Sequence, residues 1–398
     1  MKWSSAVSDA PTLTEAVRQA SEQILANLDG KSPDLAVIFV SSHHAPSFLT
    51  APEVFSEALG AKVVIGCSAA GVIGGGQEVE RRPGVAISAA TLPGVELAPF
   101  YLSQDELPSP DAPPEAWHML LGLNPQDCPA IMLLPDPFTL RSDHLLAGLD
   151  YAYPNAVKIG GLASGGGQPG ANALFMNGKS IRSGAVGVAF TGNVEVETIV
   201  AQGCRPIGEP MVVTDAEVNV INKLGDKTPL EILRDLFDAG TAREQRLIRR
   251  SLQIGIVMDR LVDGKPEGDF LIRNVIGADE DDGTLAVGEL VQEGQVVQFF
   301  VRDAQAADED LRMMLEEYMD TLEGDTPASA LLFSCLGRGQ YLYGAPDHDT
   351  NLFTDVVADI PIAGFFSNGE IGPIGDQTFL HGYTASFALF KQKSNPVS

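Results

Sequence analysis

Val63-Val64-Ile65-Gly66-Cys67-Ser68-Ala69-Ala70-Gly71 sets an apolar run against two glycines separated by four residues, and the chain uses this pattern three times. Val157 to Gly165 (VKIGGLASG) and Ile360 to Gly369 (IPIAGFFSNG) repeat it, with Gly66, Gly160 and Gly364 in matching places. These glycines lie 94 and 204 residues apart, so a decayed copy fits between the last two, and Val275 to Gly283 (VIGADEDDG) is the candidate. Each clear copy follows the same grammar: an aliphatic run, a polar break, a helical stretch, then the glycine strand. The first reads Leu35 to Val40, Phe48 to Leu59 and Lys62 to Gly71. The second reads Ala130 to Leu134, Asp143 to Tyr151 and Ala156 to Gly165, and the last Ala330 to Phe333, Asn351 to Val357 and Ile360 to Gly369. A further strand-like run follows each (Val85 to Thr91, Ala185 to Thr191, Tyr383 to Lys391). Strands alternating with helices predict an α/β or mixed α+β fold built from repeated β-α-β-β units, with helices covering mixed sheets in two related domains.

Local signals add detail. Thr12 with Glu15 makes a capping box, predicting a helix from Leu13 to Leu28 that stops at Gly30. Residues 103–114 hold four prolines and read as a surface loop, and Asn177-Gly178 is a two-residue hairpin turn. Near 222–228 a turn-rich stretch meets Thr228-Pro229-Leu230-Glu231, a helix start and the best domain boundary. Apolar residues at 311, 314, 315, 318, 319 and 322 form a helical stripe, in which the methionines are core filler.

At 398 residues the chain has room for a large core, and its 44% hydrophobic and 20% charged residues are ordinary for a globular protein. A formal charge of -27 is not ordinary: such a surface repels phosphate backbones and anionic leaflets, arguing against nucleic-acid and membrane partners. No run approaches the ~18 apolar residues of a membrane span. The N-terminus lacks an apolar signal core, and four cysteines without CxxC spacing fit a cytoplasmic chain.

The glycine loops fail as phosphate cradles, because none is followed by the lysine and hydroxyl such a loop needs. Gly66-Cys67-Ser68-Ala69-Ala70 is a near miss of the hydrolase elbow, with Ala70 where the second glycine belongs. Cys67 or Ser68 as nucleophile therefore stands against small residues packed in a tight turn. Six histidines without an HExxH or HxH pair give no metal site, and no cofactor signature is present. Asp347-His348-Asp349 reads as a solvated turn whose aspartates cap the next helix. Arg273 and Arg302 sit in apolar strands, where a salt bridge to one of the many acids is the expected use.

The last 70 or so residues are richer in polar groups set among glycines and aromatics. Gly364-Phe365-Phe366-Ser367-Asn368-Gly369-Glu370-Ile371-Gly372-Pro373 and Leu380-His381-Gly382-Tyr383-Thr384 resemble the C-terminal domain of the FIST family (F-box and intracellular signal transduction). Ile65 to Gly74, Glu78-Val79-Glu80 and Leu92-Pro93-Gly94-Val95 resemble its N-terminal domain. With the N-terminal helix taken as 1–30, the resemblance implies a FIST N-terminal domain over 31–222 and a FIST C-terminal domain over 223–392. It also implies a sensory module that binds a small ligand, amino acids among the candidates, and signals through a separate partner. A homo-oligomer stays open. A haem-binding gas sensor and an acyl-transfer or hydrolytic enzyme using Cys67 or Ser68 are the alternatives. An amino-acid ligand needs a cation for its carboxylate and an acid for its ammonium. Arg338 and Glu370 are the candidates, with Asn368, Ser334 and His381 orienting the rest. Phe365, Cys67 and Ser68 complete the set.

Overall fold

The computed structural model describes residues 1–128, 130–258, 270–322 and 324–393. The chain forms two compact units. One takes Met1–Ala201, Leu311–Leu380 and the chain from Thr384, and the other takes Gln202–Asp310 with His381–Tyr383. The mixed α+β class expected from the alternation of helices and strands is the one observed.

The larger unit consists of three six-stranded sheets, each centred on one of the glycine copies. In every sheet the first strand of a repeat lies parallel to its glycine strand. The pairs are Leu35–Ser41 with Val63–Ala69, Ala130–Pro135 with Val157–Gly161, and Ser329–Cys335 with Ile362–Ser367. The crossover helices are Ala51–Leu59, Ser142–Ala152 and His348–Val356. The return strands Val85–Thr91, Ala185–Gly192 and Thr384–Lys391 pair antiparallel with the first strands. Parallel strands covered on both faces read as unbroken apolar runs, and every residue of Leu35–Ser41 and Val63–Ala69 is buried.

The unit is larger than β-α-β-β, because a two-stranded hairpin stands between each glycine strand and its return strand. That hairpin leaves its own sheet. Gly71–Gly74, of the first repeat, pairs with Ile362–Ser367 of the third. Leu174–Met176, of the second, pairs with Val63–Ala69 of the first. Glu370–Ile374, of the third, pairs with Val157–Gly161 of the second. The exchange is cyclic, so each sheet is completed by another repeat. Lys2–Ser8, a strand with no announcement in the sequence, edges the first sheet as Val95–Leu102 edges the second and Glu195–Gln202 the third.

The inner faces of all three sheets meet in one core containing Trp3, Phe39, Met132, Phe190, Phe333 and Phe365. Helices cover the outer faces. Val17 and Phe55 pack over the first sheet, Trp117 and Leu149 over the second, and Leu311 and Phe353 over the third. The helix Leu13–Asn27 starts at Thr12, whose hydroxyl accepts from the Glu15 amide as expected.

The smaller unit is a closed six-stranded barrel, in the order Cys204–Glu217, Val220–Leu224, Thr284–Val287, Phe270–Asp279, Leu252–Val257 and Val296–Arg302. Its helix Pro229–Ala239 begins with the Thr228–Glu231 capping box. Arg273 pairs with Glu289 at 2.9 Å, and Arg302 lies over the Tyr383 ring. Val275 to Gly283 is not a fourth repeat. The strand it occupies pairs antiparallel on both sides, with no parallel partner and no crossover helix. The long interval between glycines has another cause: it exceeds the short one by 110 residues, and Gln202–Asp310 is an insertion of 109.

Candidate functional site

Parallel strands with helical crossovers present their carboxyl ends to the segments that carry function. At that end of the third sheet, Ser329–Cys335 turns through a hydrogen bond from the Arg338 amide to the Cys335 carbonyl. The chain then forms the short helix Gly339–Tyr343 and the helix His348–Val356. The turn buries a complete arginine, and Arg338 and Asp349 each keep only 1% of their side-chain surface exposed. Arg338 Nε donates to Asp349 Oδ2 at 2.9 Å and Nη2 to Oδ1 at 3.0 Å, a two-point match of guanidinium and carboxylate. Nη2 also donates to Tyr343 Oη at 2.7 Å, and the Tyr343 ring stacks on His348 with centroids 3.5 Å apart. His348 Nδ1 lies 3.1 Å from Asp349 Oδ1, and Ser334 Oγ donates to Oδ2 at 3.3 Å. Burial opposes the charge on Asp349, yet Arg338 and His348 hold its carboxyl well below the usual range.

The exchanged hairpin of the first repeat closes this cluster. Glu78, on the strand Gln77–Glu80, is 3% exposed. Its Oε1 accepts from the amides of Asp349 and Thr350 at 3.1 and 3.2 Å and from Thr350 Oγ1 at 3.4 Å. Its own amide donates to Asp347 Oδ1, and Glu80 Oε1 accepts from the Gln340 amide at 2.7 Å. Burial, reinforced by the Asp349 carboxylate, pushes the Glu78 carboxyl up to about 8. Beside the cluster lies Glu370, with no exposed surface. It accepts from Ser367 Oγ at 2.7 Å, Thr384 Oγ1 at 2.9 Å and the Thr384 amide at 3.3 Å, and burial pushes its carboxyl up to about 8. Ser367 Oγ also lies 3.3 Å from the Ser334 carbonyl, which sets Glu370 beside the Arg338–Asp349 pair. Two buried polar atoms of the cluster lack a protein partner among the described residues: Arg338 Nη1 and Glu78 Oε2.

The structure thus brings Arg338, Ser334 and Glu370 together, and it places Asn368, Phe365, Cys67 and Ser68 in other surroundings. Asn368 is exposed, its amide donating to the Leu162 carbonyl. Phe365 stacks on Phe39 in the central core. His381 is buried at the end of the strand Gln377–His381 and belongs to the smaller unit. Cys67 is fully buried among apolar side chains, and that burial pushes its thiol well above the ordinary range. The Ser68 hydroxyl lies 3.2 Å from the Ser164 carbonyl and 3.3 Å from Asn172 Oδ1, and accepts from the Ala173 amide. Neither residue is presented as a nucleophile. The reading of Asp347-His348-Asp349 as a solvated turn is corrected, because Asp349 is the buried partner of Arg338. Sequence reasoning missed Glu78, Glu80 and Tyr343. The available signal was Glu78-Val79-Glu80 itself, two acids beside an apolar residue in a strand, although nothing local says which acid is buried. Among the described residues no group of three His, Cys, Asp or Glu side chains could hold a metal ion, and no helix is long and apolar enough to cross a membrane.

Similarity to known proteins extends over nearly the whole chain. An uncharacterized protein of Mycobacterium tuberculosis is 39% identical over 386 residues, covering 96% of this chain and 98% of that one. An uncharacterized protein of Mycobacterium bovis is 36% identical over 386 residues, covering 96% and 97%. The FIST N domain profile matches residues 34–227 and the FIST C domain profile residues 229–373. The FIST domains are associated with sensing in signal transduction, and the chain belongs to that family as a FIST N domain followed by a FIST C domain.

Proposed function

We propose that the protein is a cytoplasmic sensory protein that binds a small carboxylate-bearing metabolite, of the amino-acid type, and signals through a separate partner. The observation that carries this is Arg338. A guanidinium that is 1% exposed, with Nη1 lacking a partner among the described residues, is a ready donor for a ligand carboxylate or an ordered water. Both oxygens of Glu370 are engaged, so the buried oxygen left to meet a ligand ammonium is Glu78 Oε2, which can accept from it once Glu78 has given up its proton. The test is a thermal-shift screen of the common amino acids and their 2-oxo and 2-hydroxy counterparts. At least one carboxylate should raise the melting temperature in a dose-dependent way, and Arg338→Met should abolish that rise. A screen in which no compound shifts the wild type, or in which the shift survives Arg338→Met, overturns the proposal.

A further inference from the structure

We infer that Glu78 is a positioning residue for Arg338, and that the exchanged hairpin carrying it is a pH-sensitive clasp on the third repeat. The helix His348–Val356 receives no side-chain cap from its own N-terminal residue, Asp347. Its first amides are met instead by Glu78, 271 residues away in sequence from Asp349. The residue whose amide Glu78 holds is the one whose carboxylate holds Arg338. The hairpin is therefore connected to the guanidinium through Asp349, by its amide on one side and its carboxylate on the other.

The third repeat's hairpin meets a crossover helix through a neutral group. Thr378 donates its amide and hydroxyl to Asp150 at 2.7 and 2.8 Å, and Asp150 is also paired with Lys158. Only the first repeat's hairpin brings a buried acid to its helix among these two. The groups facing Glu78 are mostly acids: Glu80 on its own strand, Asp347 before the helix, and Asp349 in the first turn. Tyr343 and His348 lie beside them, Arg338 is matched to Asp349, and Arg81 acts on Glu80. A second negative charge in this place is opposed by burial and by three carboxylates, and it is favoured only by the helix amides. The docked hairpin accordingly holds Glu78 protonated, with its carboxyl pushed up to about 8 from 4.5. A carboxyl raised on docking gives a contribution that is complete below the undocked value and is lost as pH rises through the docked one. The clasp loosens as the solution turns alkaline. Its bearing on ligand affinity rests on the function proposed above, while the clasp itself does not.

Hydrogen exchange of the Asp349 and Thr350 amides, corrected for base catalysis, tests the clasp without any ligand. In the wild type their protection should fall by up to about tenfold per pH unit toward pH 8, while amides of the helix Ser142–Ala152 keep theirs. The Nε–H resonance of Arg338 should lose its own protection over the same range. Glu78→Gln, which keeps an acceptor at the helix terminus, should make all three signals independent of pH. Flat protection in the wild type, or an unchanged pH profile in Glu78→Gln, overturns the clasp. Loss at Asp349 and Thr350 with an unmoved Arg338 signal overturns the positioning role. Should Glu78→Gln fail to fold, the wild-type titration alone decides.

Discussion

Gly364→Ala should be among the most damaging single-methyl changes available to this chain. Gly364 faces Leu332 across the parallel pair, and a Cβ built on it would stand 1.7 Å from the Leu332 carbonyl oxygen and 2.7 Å from its carbon. An ordinary contact needs 3.4 Å or more, and the obstacle is backbone inside a sheet, not the end of a movable side chain. Relief requires the strands to part by more than ~1 Å, which breaks the ladder on either side at about 1 kcal/mol per hydrogen bond. It also misaligns Phe365 against Phe333 and Phe39 in the common core, an overpacking strain of about 1–3 kcal/mol. Together these give a loss of about 3–6 kcal/mol, against a total stability of about 5–15 kcal/mol for a typical domain. Gly66→Ala and Gly160→Ala should behave alike, since both would place a Cβ 1.9 Å from the carbonyl oxygen of the paired strand. Gly167→Ala is the control, with nothing within 4 Å, and should stay within about 0.5 kcal/mol of wild type. The assay is urea denaturation followed by tryptophan fluorescence, because Trp3 and Trp117 are the only two tryptophans and both lie in the three-sheet unit. A Gly364→Ala protein that folds and loses less than about 1 kcal/mol would refute the reasoning.

Other consequences are checked in the same way. Arg338→Met leaves Asp349 charged and buried and should cost about 3–5 kcal/mol, most of it recovered when Asp349→Leu is added; a single variant as unstable as the double one would show that the pair is not the source. Glu370 is raised to about 8 from 4.5, so its contribution is complete below the unfolded value and is lost as pH rises through the folded one. Denaturation at either end of that window should therefore show wild type losing a few kcal/mol with rising pH, on the order expected for a fully buried acid, and Glu370→Gln losing measurably less; equal slopes would exclude Glu370 as the titrating group. Cys67 should resist iodoacetamide in the native protein and react on unfolding, as read by peptide mass spectrometry. Rapid native labelling would mean that the first glycine turn opens to solvent.

The parts of this fold legible in the sequence are those fixed by neighbours in the chain. Thr12 and Thr228 announce helix starts because a cap acts over three residues, and both caps form. The glycine strands stand out because the requirement at Gly66, Gly160 and Gly364 is the same backbone approach, imposed three times. The exchange of hairpins was not legible. Gly71–Gly74 and Leu174–Met176 are four and three residues long, and their partners lie in other repeats. A strand that short carries too little alternation to declare a face, let alone a partner. The site divides along the same line. Arg338 is conspicuous as a cation among glycines, and Ser334 and Glu370 lie with it. Its real counter-ion was hidden in an Asp-His-Asp turn that resembles any solvated turn until the burial of Asp349 is known.

Comparison of equivalent corners explains why chemistry collects in the third repeat. Counting from Ile38, Leu133 and Leu332, which face the three glycines, the sixth residue onward is His44, Thr139 and Arg338. Thr139 donates to Asp136 at 2.6 Å, and Asn172 donates to the other oxygen of that carboxylate at 2.9 Å, so the second corner is closed on itself with neutral donors. His44 is 3% exposed, and its burial favours the uncharged ring. The third corner alone of these carries opposite charges in contact, although a buried ion pair is weak support for stability. Two scaffolds of the same kind hold together without one, so stability does not require the Arg338–Asp349 pair at this position. A feature that the fold can omit twice is not accounted for by the stability it brings, and the carboxylate site proposed for Arg338 would account for it.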